Sequence, residues 1–139
     1  EARRMIGRYV MTEDNCALRT FVDDGIARGS YPSDSHGVQR YVNEDGWVRN
    51  EGGYYYYPAG RMAPYEVSYR AITPKSEECR NLLVPVCLSA SHIAYGSLRM
   101  EPVYMMTGDA AGRAAAMAAE AGLSVQEINI PELRSYLDL

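Results

Sequence analysis

The chain has 139 residues, 47% of them hydrophobic and 23% charged, with a formal net charge of -4. This is the composition of a globular domain with one modest core, and the acidic balance excludes a broad nucleic-acid surface, since no basic stripe is present to neutralise phosphates. Cys16, Cys79 and Cys87 stand in no paired spacing, so neither a disulfide framework nor a zinc site is indicated, and no apolar run is long enough to span a bilayer.

In chain order, Met5 to Met11 reads as a strand leading to Thr12-Glu13-Asp14, a helix cap with acids in the first turn, and a short helix near Asp14 to Arg19. Asp23-Asp24-Gly25 is a turn into a strand from Ile26 to Tyr31 that stops at Pro32, and Ser33 to Gly37 reads as a polar loop. Val38 to Val42 and Trp47 to Arg49 flank Asn43-Glu44-Asp45-Gly46, and a Gly after Asp between two such runs predicts a hairpin. The successive tyrosines Tyr54, Tyr55, Tyr56 and Tyr57 are bracketed by glycine and proline breakers, and Tyr65 to Ile72 follows as a strand with Tyr65, Val67, Tyr69 and Ala71 on one face. Pro74 to Arg80 is a charged connection.

Leu82 to Leu88 is a short, nearly unbroken apolar run that fits a strand covered on both faces. Ser89, Ser91, His92, Tyr95, Ser97 and Arg99 then crowd the place where that strand gives way to a helix, which in open α/β sheets is where ligands sit. The helix begins near Pro102, which suits a first-turn position, and Gly122 ends it as a C-terminal cap. Between them GDAAGRAAAMAAEA, from Gly108 to Ala121, is built of side chains small enough for another backbone or a ligand to come close. Close approach would offset the roughly 1 kcal/mol that each of Gly108 and Gly112 costs in a helix interior. Val125 to Ile128 reads as a turn, and a last helix starts at Ile130-Pro131 with Leu133, Tyr136 and Leu137 on one face.

No GxGxxG loop, P-loop, HExxH or nucleophile elbow is present, so there is no hydrolase or kinase constellation and no site within the chain for a dinucleotide pyrophosphate. His36 and His92 both lie in polar segments beside Ser or Asp, where a histidine taken alone is more simply a surface or hydrogen-bonding residue.

Several stretches together resemble the C-terminal portion of a bacterial family of FAD-dependent oxidoreductases, some of whose relatives carry a xanthan lyase label. They are RRMIGRYVMTEDN (Arg3 to Asn15), GSYPSDSHG (Gly29 to Gly37), YEVSYRAITPK (Tyr65 to Lys75), NLLVPVCLSASH (Asn81 to His92), YGSLRMEP (Tyr95 to Pro102) and GDAAGRAAA (Gly108 to Ala116). The chain departs from many such proteins in having Pro85-Val86 for a Gly-Arg pair, and from others in having Asp109 where they have Gln. The resemblance implies an α+β fold in two parts. Residues 1 to 80 would form a β-rich substrate-side region; residues 81 to 139 would return to the flavin domain as a buried strand, a polar turn, the long helix and a terminal helix.

The resemblance implies FAD as cofactor of the whole protein, contacted by Ser91, Ser97, Arg99 and Asp109. His92 would move a proton or donate to a substrate oxyanion, and His36 would be a second catalytic group oriented by Asp34. The resemblance further implies that the chain is a fragment lacking its dinucleotide-binding half, with weak or no flavin binding of its own. Strand alternation turns Arg70 to the face opposite Tyr69, where it would meet a substrate carboxylate or stand as a solvated charge, with Tyr31 a further substrate-side residue; the Ala- and Gly-rich helix predicts an exposed apolar stripe or a homodimer that covers it. Two other readings rest on residue types alone: a polysaccharide lyase acting on uronic-acid-containing glycans, and a non-catalytic carbohydrate-binding or interaction module built on Tyr54 to Tyr57.

Overall fold

The structure is a computed structural model that describes residues 3–55 and 63–139. Its order is α1 (Glu13–Cys16), β1 (Gly25–Gly29), β2 (Ser33–Val42), β3 (Val48–Tyr55), β4 (Tyr65–Ser68), a 3-10 turn (Tyr69–Ala71), α2 (His92–Leu98), α3 (Glu101–Ala121) and α4 (Ile130–Tyr136). The architecture is α+β, and its strands form two antiparallel pairs, β1 with β4 and β2 with β3.

The β1–β4 pair is the floor of the core. Ile26, Ala27, Tyr65 and Val67 are buried on it, and Tyr69, Ala71 and Ile72 continue the apolar face through the 3-10 turn. Helix α3 packs on β1 with Val103, Thr107, Ala110, Ala111, Ala114 and Ala118 turned inward. Four alanines in that stripe let helix and strand approach closely. Helix α4 closes the far side with Leu133, and Arg134 donates to the Gly25 carbonyl at 2.6 Å and pairs with Glu66 at 3.0 Å.

The helix ends follow local chemistry. Pro102 lies in the first turn of α3, and Gly122 caps its C-terminus at φ 66°, a left-handed conformation that favours glycine. The hairpin turns through Asn43 to Gly46, with Gly46 at φ 84° and the Trp47 N–H donating to the Asn43 side chain at 2.8 Å.

Several expected elements differ. The strand expected from Tyr65 to Ile72 ends at Ser68 and gives way to the 3-10 turn, and the polar turn expected between Leu88 and Pro102 holds helix α2, which was not expected. No strand forms over Leu82 to Leu88; the segment runs through bends, and Leu82, Val86 and Cys87 are exposed. It is held by single hydrogen bonds, Val84 N–H to the Ile72 carbonyl and Met5 N–H to the Cys87 carbonyl, and Pro85 has no N–H with which to continue a ladder. Met5 to Met11 is not a strand either and makes one parallel bridge, Met11 with Ala90. Conversely, the polar segment Ser33 to Gly37, read as a loop, is the first half of β2, where Ser33, Asp34 and Ser35 pair with Tyr55, Tyr54 and Gly53.

Candidate functional site

The polar side chains singled out after Leu88 gather around α2. Ser91 caps the helix, its hydroxyl accepting from the Ala94 N–H at 3.3 Å, and His92 is the exposed first residue. Six residues further on, about 9 Å along the axis, Leu98 is buried and Arg99 leads into α3.

Between those ends α2 presses against the start of β2. Gly96 makes this possible, since a Cβ there would lie 2.5 Å from Ser33 Oγ and 3.0 Å from the Asp34 carbonyl oxygen. Ser33 Oγ donates to the Ile93 carbonyl at 2.7 Å, and Arg99 Nη2 donates to the Asp34 carbonyl at 2.8 Å. Ser97 is fully buried, and its hydroxyl bonds the Tyr65 hydroxyl and the Tyr31 carbonyl. The fold therefore brings Ser97, Arg99 and Tyr31 together, with Ser97 facing inward as a tie between α2 and the strands.

Helix α3 begins at Glu101 with no side-chain cap at Met100. Of its first N–H groups, that of Tyr104 reaches the Met100 carbonyl at 3.1 Å, and Pro102 has none to offer. The remaining amide donors, the positive end of a 21-residue helix and the neighbouring Arg99 guanidinium favour a negative partner.

Other candidates lie apart from this junction. Arg70 is engaged by carboxylates, with Nη2 at 2.6 Å from Asp23 and Nε at 2.9 Å from Asp24, and its guanidinium stands 5.4 Å from the centre of the Tyr9 ring. Burial tends to raise the Asp24 carboxyl's pKa, but the Arg70 guanidinium and N–H and the Ser68 hydroxyl outweigh it and hold the pKa below the usual carboxylate value. Asp109 is exposed and pairs with Arg113 one turn on, at 3.0 Å. His36 is exposed on β2 where the register with β3 shifts. Tyr54 meets Tyr31 edge to face with centroids 6.3 Å apart, and the Tyr55 hydroxyl donates to Glu13 at 3.1 Å. Tyr56 and Tyr57 lie outside the described residues.

Sequence reasoning missed a second set of contacts. The hydroxyls of Tyr95 and Tyr104 are 2.9 Å apart, tying α2 to the first turn of α3, and the Arg4 guanidinium lies 4.9 Å from the centre of the Tyr95 ring. Burial, then the bond to Tyr95, pushes the Tyr104 phenol above its ordinary pKa. The available signal was positional, because Tyr95 falls within α2 and Tyr104 in the first turn of α3.

The junction of α2 and α3 thus sets helix amides without a side-chain cap beside a guanidinium. Among known families, the model described as FAD dependent oxidoreductase matches residues 1–137, and the chain belongs to that family. No curated protein and no solved structure matches the chain. The residues present fit the cofactor the family implies. The amide donors at the start of α3 suit an electron-rich ring edge, and a Cβ at Gly108 or Gly112 would meet nothing within 4 Å among the described residues, so the helix's outer face is open.

Proposed function

We propose that this chain supplies the substrate side and the flavin-edge contacts of an FAD-dependent oxidoreductase, residues 1 to 80 forming the first and 81 to 139 the second. The observation that carries the proposal is the junction of α2 and α3, where Arg99, held by the Asp34 carbonyl, adjoins a helix start with no side-chain cap. FAD, when bound, supplies the acceptor or donor for an electron pair moved as hydride. Arg99 and the α3 amides would hold the ring edge that becomes more negative on reduction. Ser91 fixes the start of α2 and so the placement of His92, which holds or releases a proton as substrate is oxidised or reduced.

His36, on the β2–β3 hairpin, is the second proton-handling group, and the backbone and ring of Tyr31 shape the substrate side. Ser97 acts from within by fixing Tyr31 and Tyr65. Arg70, paired with Asp23 and Asp24, holds the turn that ends β4. Asp109, braced by Arg113, faces outward from α3, where it meets the unit that covers that helix. That covering unit is a dinucleotide-binding domain carrying the glycine-rich loop absent from these residues; a second copy of the chain is the other occupant to test.

The test has two arms. A fluorescence titration of this chain with FAD is expected to show weak or no binding, and tight stoichiometric binding would overturn the division of labour. In the flavin-loaded protein that contains the chain, Arg99→Gln is expected to lower the flavin midpoint potential, because a positive charge beside the reduced ring is lost. An unchanged potential would overturn the assignment of Arg99.

A further inference from the structure

Asp34 holds Arg99 through a backbone carbonyl, so the place of that guanidinium is set by whatever fixes the backbone of β2 at this point. The fold clamps it from two sides. Gly96 of α2 lies so close that a Cβ there would stand 3.0 Å from the Asp34 carbonyl oxygen and 3.1 Å from its amide nitrogen. Gly52 of β3, at φ 110°, leaves no room for a Cβ beside the His36 carbonyl oxygen two residues further on. Glycine offers no side chain to lock against, so these contacts limit how far the strand can move without fixing it along α2. Ser33 supplies the lock. It is 1% exposed, and its hydroxyl donates to the Ile93 carbonyl of α2 at 2.7 Å.

Arg99 needs such support. An arginine side chain has several rotatable bonds and spreads its charge over many positions unless its guanidinium is hydrogen-bonded. Arg99 is half-buried, and Nη2 donates to the Asp34 carbonyl at 2.8 Å, which gives the charge a defined place at the junction of α2 and α3. Charge interactions weaken with distance and with access of solvent, so a guanidinium held there acts on a neighbouring anion more strongly than a released one. We propose that Ser33 is a positioning residue for Arg99: its bond to the Ile93 carbonyl fixes the Asp34 carbonyl, which fixes the guanidinium, and the flavin potential is tuned by a serine that does not touch the flavin. This rests on the reading of the α2–α3 junction as the flavin edge and extends it to the strand that supports the junction.

The test compares Ser33→Ala, Arg99→Gln and the double variant by redox titration of the flavin-loaded protein that contains the chain. Ser33→Ala is expected to lower the midpoint potential in the same direction as Arg99→Gln and by less, because the charge is released and not removed. The double variant should fall no further than Arg99→Gln alone. Gly122→Ala, which loosens the far end of α3, should keep the parent potential and so separates positioning from a general loss of stability. A second readout needs no flavin: 15N NMR of the flavin-free protein follows rotation of the Arg99 guanidinium about its Cζ–Nε bond, which is slowed while Nη2 is anchored and should quicken in Ser33→Ala. Ser33→Cys, of similar size and a weaker donor, should show both effects in smaller measure and carries the comparison if Ser33→Ala does not fold. An unmoved rotation rate, an unmoved potential in Ser33→Ala beside a lowered one in Arg99→Gln, a fall that adds to that of Arg99→Gln, or an equal fall in Gly122→Ala would each overturn the proposal. Faster rotation in Ser33→Ala, with a potential that neither substitution moves, would instead overturn the placing of Arg99 at the flavin and uphold the link from Ser33 to Arg99.

Discussion

Gly96, Gly108 and Gly112 are all helical, yet the same substitution should move stability in opposite directions. Alanine gains about 1 kcal/mol over glycine within a helix, from backbone entropy and shielding. At Gly108 and Gly112 an added Cβ meets nothing within 4 Å among the described residues, so that gain stands nearly whole and each variant should melt about 3 °C higher. At Gly96 the new Cβ would lie 2.5 Å from Ser33 Oγ and 3.0 and 3.1 Å from the Asp34 carbonyl oxygen and amide nitrogen. None of these atoms is a loose side-chain end. Ser33 is 1% exposed and its hydroxyl donates to the Ile93 carbonyl, while the Asp34 carbonyl accepts from Arg99. Overpacking of this kind costs about 1–3 kcal/mol and a broken Ser33 bond about 1 more. Set against the helical gain, Gly96→Ala should destabilise by about 1–3 kcal/mol, a fall of roughly 3–10 °C. Thermal and urea unfolding of the three single variants, followed by circular dichroism, measures this. A Gly96→Ala protein as stable as the parent, or a Gly108→Ala protein as damaged as Gly96→Ala, would refute the packing of α2 on β2 and the openness of α3.

The acid limb of stability should depend on Asp24. Its pKa is held below the usual value in the fold, so on acidification the unfolded state takes the proton first; the contribution is complete above an unfolded pKa of about 3.9 and is lost as pH falls through the folded one. Asp24→Asn should therefore cost about 2 kcal/mol at neutral pH and flatten the loss between about pH 5 and pH 3, measured by urea unfolding across that range. An equally steep acid limb in the variant would contradict this. Ser91→Ala removes the cap of α2 and should cost about 1 kcal/mol, with faster amide exchange at Ala94 as the local readout. Gly122→Ala forces a Cβ into a left-handed cap at φ 66° and should cost about 1 kcal/mol, seen as fraying of the last turn of α3 by exchange; unchanged protection at Ala119 to Leu123 would count against it.

Sequence made plain those features whose cause is local. Pro102, Gly122 and the Asn43 to Gly46 turn each impose a backbone conformation through their own covalent structure, and α3 and the hairpin lie where those residues require. Tyr65, Val67, Tyr69 and Ala71, read as one strand face, are all buried, but the strand ends at Ser68, and Ser68 and Ile72 are buried as well because the chain turns through a 3-10 helix there. What misled was hydrophobicity without register. Leu82 to Leu88 is apolar enough for a strand, but Pro85 interrupts any ladder and the segment is exposed at Leu82, Val86 and Cys87. Ser33 to Gly37 is polar enough for a loop, yet its start is paired to Tyr55, Tyr54 and Gly53, a decision made by residues some 20 positions away. In the candidate site, the cation at Arg99 was readable from residue type, whereas helix α2 and its Ser91 cap were not expected. The Asp34 carbonyl that holds Arg99 was not readable either, because any residue carries a carbonyl and nothing in the sequence distinguishes the one that is used.

The small-residue block of α3 is one feature in the sequence and two in the fold. Ala110, Ala111, Ala114 and Ala118 are turned to this chain's own β1, so their size is accounted for by a strand that a larger side chain would displace. Gly108 and Gly112 have no neighbour within Cβ reach among the described residues, and an exposed glycine in mid-helix is a cost that the inward face cannot explain. Nor does Thr107, whose hydroxyl bonds the Val103 and Pro85 carbonyls, draw any second element toward them. The requirement for small residues on the inner face thus comes from the domain's core, whereas on the outer face it would come from the covering unit proposed above. It follows that bulky substitutions along the two faces should separate the two requirements. Ala114→Leu should unfold the domain, whereas Gly112→Leu should leave its melting intact and weaken its association with the flavin-bearing unit. Equal effects of the two on stability would remove the ground for assigning the outer face to an interface.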